Sequence, residues 1–273
     1  MVLNEALVGR PYMGDDYEVT AEAIGRYADA TNDPNPRYRK PDPPASPVFA
    51  IVPAFGVIMG AAKDPELGAD LLRLVHIAEE HVVHTPLRAG QRLSVSAKLA
   101  SVAEDEGGES FSIEVELAAG ADVSALVRAT MLIRGSGVRR RRSTGPARGQ
   151  AQGAELLCER PLRIDEDQPR RYAEASGDHN PIHLDEATAR SAKLPGVIVQ
   201  GMCTMAMASA GVVDELAGGE PERVRLIAAR FAKPVFPGQE LRARYWDGER
   251  GYEFEVVNRA GVALLGGRAE VSS

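Results

Sequence analysis

The chain has 273 residues, of which 44% are apolar and 26% charged, and its net charge is −7. That length holds one large domain or two of about 100–150 residues, with enough apolar residues for a core. A negative balance argues against general nucleic-acid binding, and Cys158 and Cys203, far apart in sequence, form neither a CxxC motif nor a metal-ligand spacing. With no secretory pattern in MVLNEALVGRPYMGDDYE, a reducing cytoplasm is the expected compartment.

Thr20 is placed as the N-cap of a helix running to about Ala30. An Asn/Asp/Pro-rich loop follows, and then an apolar helix over about 48–62. Leu93–Leu99, Phe111–Leu117 and Leu126–Arg134 alternate apolar and polar residues and read as strands. Near 135–155 the apolar periodicity stops. Gly135-Ser136-Gly137, the run Arg139–Arg142 and STGPARGQAQG read as a linker, and no aromatic residues accompany the arginines to stack on bases. Beyond it Asp165 and Gln168 make a capping-box pattern, with Pro169 early in a helix ending near Ser176. A second loop, a second apolar helix over about 196–217, and strands at Val224–Phe231, Glu240–Trp246, Tyr252–Asn258 and Ala263–Val271 complete the chain. The expected units are therefore 1–137, a linker 138–154, and 155–273.

The two halves are copies. Arg26–Pro36, RYADATNDPNP, repeats Arg171–Pro181, RYAEASGDHNP, at a constant offset of 145. Ala45–Ala62 and Leu194–Val213 lack charge and approach the length of a membrane span, about 20 residues. Their matching places in the two halves favour two buried central helices, each with an antiparallel meander wrapped around it.

The second copy carries chemistry. YAEASGDHNPIHLD sets Asp178 and His183 five residues apart on one short loop, and an acid beside a base can move protons to and from a bound molecule. In the first copy Tyr38 stands where His183 stands in the second, while Asp33 matches Asp178. Asp in such a loop also caps turns, so its persistence in both copies leaves a structural share open. Asn180 and Pro181 recur as Asn35 and Pro36 and read as residues that shape the loop. His76, His81 and His84 form the only other histidine cluster; on a strand 81 and 84 face opposite ways, so no metal site is expected. Cys203 reads as a packing residue, since no second histidine is placed to activate it. No GxSxG, P-loop or Rossmann glycine pattern occurs.

SGDHNPIHLD, then LPGVIVQGMCT, then RFAKPVFPGQEL resembles, in order, the MaoC-like R-specific enoyl-CoA hydratases and 3-hydroxyacyl-thioester dehydratases. The second half carries the signature, and the first resembles the degenerate repeat of fused members. The resemblance implies an α+β double hot-dog fold, no metal and no cofactor. It implies Asp178 and His183 as catalytic and the Gly201 N–H as the donor to the thioester oxygen. The residue before that glycine is commonly histidine in the family, and here it is Gln200. The implied reaction is reversible hydration of 2-enoyl thioesters to (R)-3-hydroxyacyl thioesters in fatty-acid metabolism. The substrate partner is an acyl-CoA or an acyl-carrier-protein thioester, with no nucleic acid or membrane partner. A homodimer is compatible with the sequence, which leaves the oligomeric state open.

Arg230 and Lys233, beside the Pro-Val-Phe-Pro-Gly turn, are candidate contacts for CoA or pantetheine phosphates. Val48, Phe49, Phe55 and Met59 of the first half are candidate walls of an acyl tunnel. Two alternatives stay open: a hot-dog acyl-thioesterase, and a non-catalytic acyl-thioester binding or accessory subunit.

Overall fold

Two nearly uncharged helices, one in each half, set the architecture. The computed structural model describes residues 3–105, 108–135, 155–259 and 261–273; the Arg139–Arg142 run and the whole of the expected linker 138–154 lie outside them. The first half runs β1 (Pro11–Met13), β2 (Tyr17–Glu18), α1 (Ala21–Ala30), α2 (Ile51–Ala62), β3 (Leu74–Val83), β4 (Arg92–Asp105), β5 (Gly108–Ala119) and β6 (Asp122–Arg134). The second runs β7 (Leu156–Arg163), α3 (Gln168–Ser176), α4 (Glu186–Ser191), α5 (Gly201–Gly211), β8 (Val224–Phe231), β9 (Glu240–Asp247), β10 (Tyr252–Asn258) and β11 (Gly261–Val271).

The strands form one antiparallel sheet in the order β1-β4-β5-β6-β3-β8-β11-β10-β9-β7, with β2 paired to β4. Read from its middle outward, each side repeats the other: β3 answers β8, β6 answers β11, β5 answers β10, β4 answers β9 and β1 answers β7. This is a double hot-dog, two sheet-and-helix units joined edge to edge. The join is the β3–β8 ladder, from Ala78 opposite Arg230 to Val82 opposite Leu226. Pairing the two edges removes exposed strand borders that would otherwise invite association. The repeated tyrosines meet across the same symmetry: the Tyr27 and Tyr172 rings lie 5.8 Å apart and their hydroxyls 3.5 Å apart.

Local chemistry explains the helices. The Thr20 hydroxyl accepts from the Ala23 N–H at 3.0 Å and caps α1, whose Ile24, Tyr27 and Ala28 form the buried face. Pro53 sits in the first turn of α2, where a helix has no use for the missing N–H. Helix α2 begins at Ile51 rather than 48, because the backbone before it forms turns. Helix α5 begins at Gly201 rather than 196: Gln200, with ψ of 135°, is not helical, and a π-helical turn over Val212–Leu216 continues the helix. Only Gly201 among the α5 residues is not fully buried, so charge is excluded from its whole circumference. No described helix is long and apolar enough to cross a membrane.

Small residues let α5 lie close to the sheet. Tyr245 of β9 donates from its hydroxyl to the Ala208 carbonyl at 2.8 Å. A Cβ at Gly211 would overlap that hydroxyl. Gly211→Ala is therefore expected to break the Tyr245 bond and overpack the core, lowering the unfolding free energy by about 1–3 kcal/mol. Urea denaturation checks this; an unchanged midpoint would mean that Tyr245 can move aside freely.

Candidate functional site

Helix α3 ends at Gly177, whose φ of +80° is left-handed and turns the chain sharply into the reactive loop. The Ser176 hydroxyl, donating to the Tyr172 carbonyl at 2.7 Å, accepts from the Asp178 N–H at 3.2 Å. Asp178 Oδ1 accepts from the Asn180 N–H at 3.2 Å, and Asn180 Oδ1 from the Ile182 N–H at 3.3 Å. Asn180 thereby caps the short helical turn Pro181–His183. Asn180 and Pro181 are solvent-exposed and hold the loop through the backbone. Part of the Asp178 carboxylate is structural, and its other oxygen points elsewhere.

That oxygen, Oδ2, stands 3.8 Å from His183 Nε2. The separation is too long for a direct hydrogen bond. His183 is buried, and its Nδ1 lies 2.8 Å from the Ile198 carbonyl. A carbonyl only accepts, so Nδ1 carries the proton and neutral His183 presents a bare Nε2 lone pair beside Asp178. Burial disfavours the imidazolium; Asp178 and the Ile198 carbonyl oppose that only in part, and the His183 pKa lies below the usual 6.5. Two acceptors thus face one point from adjacent positions.

Gly201 opens α5 next to this pair. Gln200 makes no side-chain cap; its amide donates to the Pro169 carbonyl at 3.1 Å and the Asp178 carbonyl at 3.3 Å. Gln200 is thus a strut between α3, the reactive loop and the start of α5. The uncapped first turn leaves N–H groups and the positive end of the helix dipole facing the site. The Ile182 carbonyl accepts from the Ile198 N–H at 3.3 Å, and the Val199 N–H donates to Val235 of the Pro-Val-Phe-Pro-Gly turn at 2.8 Å. Sequence reasoning had no signal for the Ile198 carbonyl or the Gln200 strut, since both depend on chain crossings; Ser176, a hydroxyl just before a helix-ending glycine, was readable.

The other expected residues spread out. Phe55 comes to the reactive loop, 4.0 Å from where a Gly177 Cβ would stand, and Met59 is half-buried on the same helix. Val48 and Phe49 are fully buried; the Val48 carbonyl accepts from the Tyr27 hydroxyl, and Phe49 packs edge-on against Tyr27 at 5.5 Å. Arg230 and Lys233 are exposed at the end of β8 and just beyond it. His76 and His81 converge on Glu79, and no described group of three or more His, Cys, Asp or Glu is arranged to hold a metal. Burial pushes the Cys203 thiol up to about 12, which removes it as a nucleophile near neutral pH.

In the first-half copy of the loop the two corresponding side chains are buried. Tyr38 is fully buried in the place of the histidine, and burial raises the Asp33 carboxyl to about 6. Asn35 donates to the Gly219 carbonyl at 3.0 Å, and Arg37 pairs with Glu220 at 2.6 Å, so the second half lies across this copy.

Fold and site together define a fused pair of hot-dog units with one open acid–base loop. Residues 148–264 match the MaoC like domain family, and residues 6–123 match the FAS1-like dehydratase domain region. The chain is 34% identical over 232 residues to 3-hydroxyacyl-thioester dehydratase Y of Mycobacterium tuberculosis, covering 79% of this chain and 76% of that one. It is 26% identical over 235 residues to the peroxisomal enoyl-CoA hydratase 2 of Arabidopsis thaliana, covering 81% and 75%. The crystal structure of a MaoC-like dehydratase from Phytophthora capsici superposes with a TM-score of 0.84 at 22% identity, covering 99% and 98%. The chain belongs to the MaoC-like dehydratase family.

An NMR titration of the His183 ring, identified by its loss in His183→Gln, is expected to show a midpoint below 6.5. The unfolded histidine takes its proton first, so the stability this group contributes is present above pH ~6.5 and is lost as pH falls. A midpoint above 7 would contradict the burial argument.

Proposed function

We propose that the chain is a hydro-lyase that adds water across 2-enoyl thioesters and removes it from 3-hydroxyacyl thioesters, as the names of its relatives suggest. The observation that carries this reading is the bare His183 Nε2 facing Asp178 Oδ2 beside the uncapped start of α5.

In hydration, one water donates its two hydrogens to the Asp178 carboxylate and His183 Nε2. Its oxygen attacks C3 as His183 takes the proton, and the electron pair of the double bond moves toward the thioester carbonyl. The Gly201 N–H holds the developing charge on that oxygen, with the α5 dipole in the favourable sense. The proton then goes to C2, so the enzyme returns to its starting state and water is the only addition. Dehydration is the same path reversed. The depressed His183 pKa keeps the base unprotonated at neutral pH, which hydration requires. The (R) configuration extends this proposal through the family resemblance alone, and the thioester is one of CoA or of an acyl-carrier protein.

Phe55, placed by the first half against the reactive loop, supports an acyl chain running toward that half. Loss of enoyl absorbance, followed with 2-enoyl-CoAs of graded length and an enoyl-acyl carrier protein, tests the assignment. Asp178→Asn and His183→Ala are each expected to lower kcat about 10²–10⁴-fold with folding intact. CoA release from saturated acyl-CoA would point to a thioesterase, and tight binding without turnover to a non-catalytic subunit.

A further inference from the structure

Strand β3 carries an inward-facing row that an ordinary core strand would fill with apolar residues. Glu79, His81 and Val83 alternate onto the buried face, with Glu79 2% and His81 0% exposed. Glu79 is bound by two imidazoles: His76 Nε2 lies 2.8 Å from Oε2, and His81 Nε2 lies 3.1 Å from Oε1. His76 Nε2 is also 3.0 Å from the Ala78 carbonyl, and since both partners accept, that nitrogen carries the proton. Burial would raise the Glu79 carboxyl, but the His76 charge and the two histidine bonds outweigh it, and the group lies below the ordinary value. A carboxylate buried to this degree is retained only because it is fully bonded.

Three residues apart on a regular strand, His76 and Glu79 would face opposite sides of the sheet. They meet because β3 has a bulge: His76 opposes Met131 while Ala78 opposes Thr130, which leaves Ile77 as an extra residue. The bulge re-aims His76 onto Phe231 of β8, ring centroids 4.8 Å apart and planes at 68°. Phe231 is in turn the wall against which Gly201 lies, for a Cβ there would stand 2.8 Å from the Phe231 ring. The β3–β8 ladder holds both ends of this chain in register, with Glu79 opposite Ala229.

We infer that His76 and Glu79, residues of the half that lacks the acid–base pair, are positioning residues for the reaction: through Phe231 they set where the Gly201 N–H meets the thioester oxygen. The inference rests on Gly201 being the oxyanion donor. Glu79 fixes the His76 ring, the ring edge fixes Phe231, and Phe231 fixes the approach of the helix start. Neither residue touches substrate. Displacing a reactive geometry by about 1 Å costs up to about a hundredfold in rate.

The test is steady-state hydration of a 2-enoyl-CoA by the full chain, with thermal unfolding measured alongside. His76→Phe keeps a ring beside Phe231 and removes the Nε2 bond; Glu79→Gln keeps the volume and removes the charge. Each is expected to lower kcat about tenfold or more, with KM within about twofold. Adding Phe231→Leu to His76→Phe is expected to cost no more than the worse single change, because both act on one element. A folded His76→Phe with wild-type kcat overturns the inference, and so does a raised KM at constant kcat. Should Glu79→Gln fail to fold, His76→Phe decides, at a side chain that is 24% exposed. Turnover that survives Asp178→Asn would sink the site assignment itself, whereas an active enzyme indifferent to His76→Phe sinks this inference alone.

Discussion

The site depends on how closely α5 lies against the sheet. Its first residue, Gly201, rests on Phe231, and its last, Gly211, rests on the Tyr245 hydroxyl; neither position admits a side chain without something moving. Between them only small or flexible residues occur, all buried. The resulting helix has almost no amphipathic character, because the sheet and the neighbouring elements enclose it on every side. Its start is half-buried and free of a capping side chain, so its backbone N–H groups and the helix dipole are available to a developing negative charge.

The duplicated scaffold is symmetric, but the histidine of the second copy is a tyrosine in the first. In both copies an aspartate accepts from the N–H two residues on, and an asparagine caps the turn that follows. In the first copy, Asn35 also donates to Gly219, and Arg37 reaches Glu220 and Glu222. Tyr38 and Asp33 are sealed inside. Across the join, Arg171 of the second copy donates to the Asp29 carbonyl and to Asn32 of the first. The first-copy loop has become part of the clasp between halves, whereas Asn180 and Pro181 of the second are exposed. A single hot-dog unit would leave the β3 or β8 edge bare, so even a half without the acid–base pair contributes stability and registers its partner.

Much of this was legible in the sequence, and the reasons differ by element. The offset of 145 placed the repeat, and the meeting of Tyr27 with Tyr172 is its direct spatial consequence. Asp178 and His183 stand out in a local motif and Gly201 through the family resemblance, and the structure links the loop and the helix start through Gln200. Strand β3 was not among the expected strands. Its inner face carries Glu79 and His81, and the bulge at Ile77 breaks the alternation by which strands are recognised. Strands β1 and β2 have three and two residues, too few for any period to show. The start of α5 was misplaced because residues 196–200 are mostly apolar yet lie outside any helix, held by the bonds of Ile198 to Ile182 and Val199 to Val235. Composition reports burial there, while only those tertiary bonds report backbone shape.

Under the proposed hydration, two loops built on the same hydrogen-bonded turns divide into one that reacts and one that only holds the halves together. The most direct measurement compares kcat for hydration of a 2-enoyl thioester in Asp178→Asn and Asp33→Asn, the same substitution at equivalent positions. Asp178→Asn is predicted to lose about 10²–10⁴-fold, while Asp33→Asn, whose side chain is buried in the first copy, keeps wild-type kcat. Comparable losses at both positions, with both proteins folded, would show that the first copy takes part in the chemistry and would contradict the division.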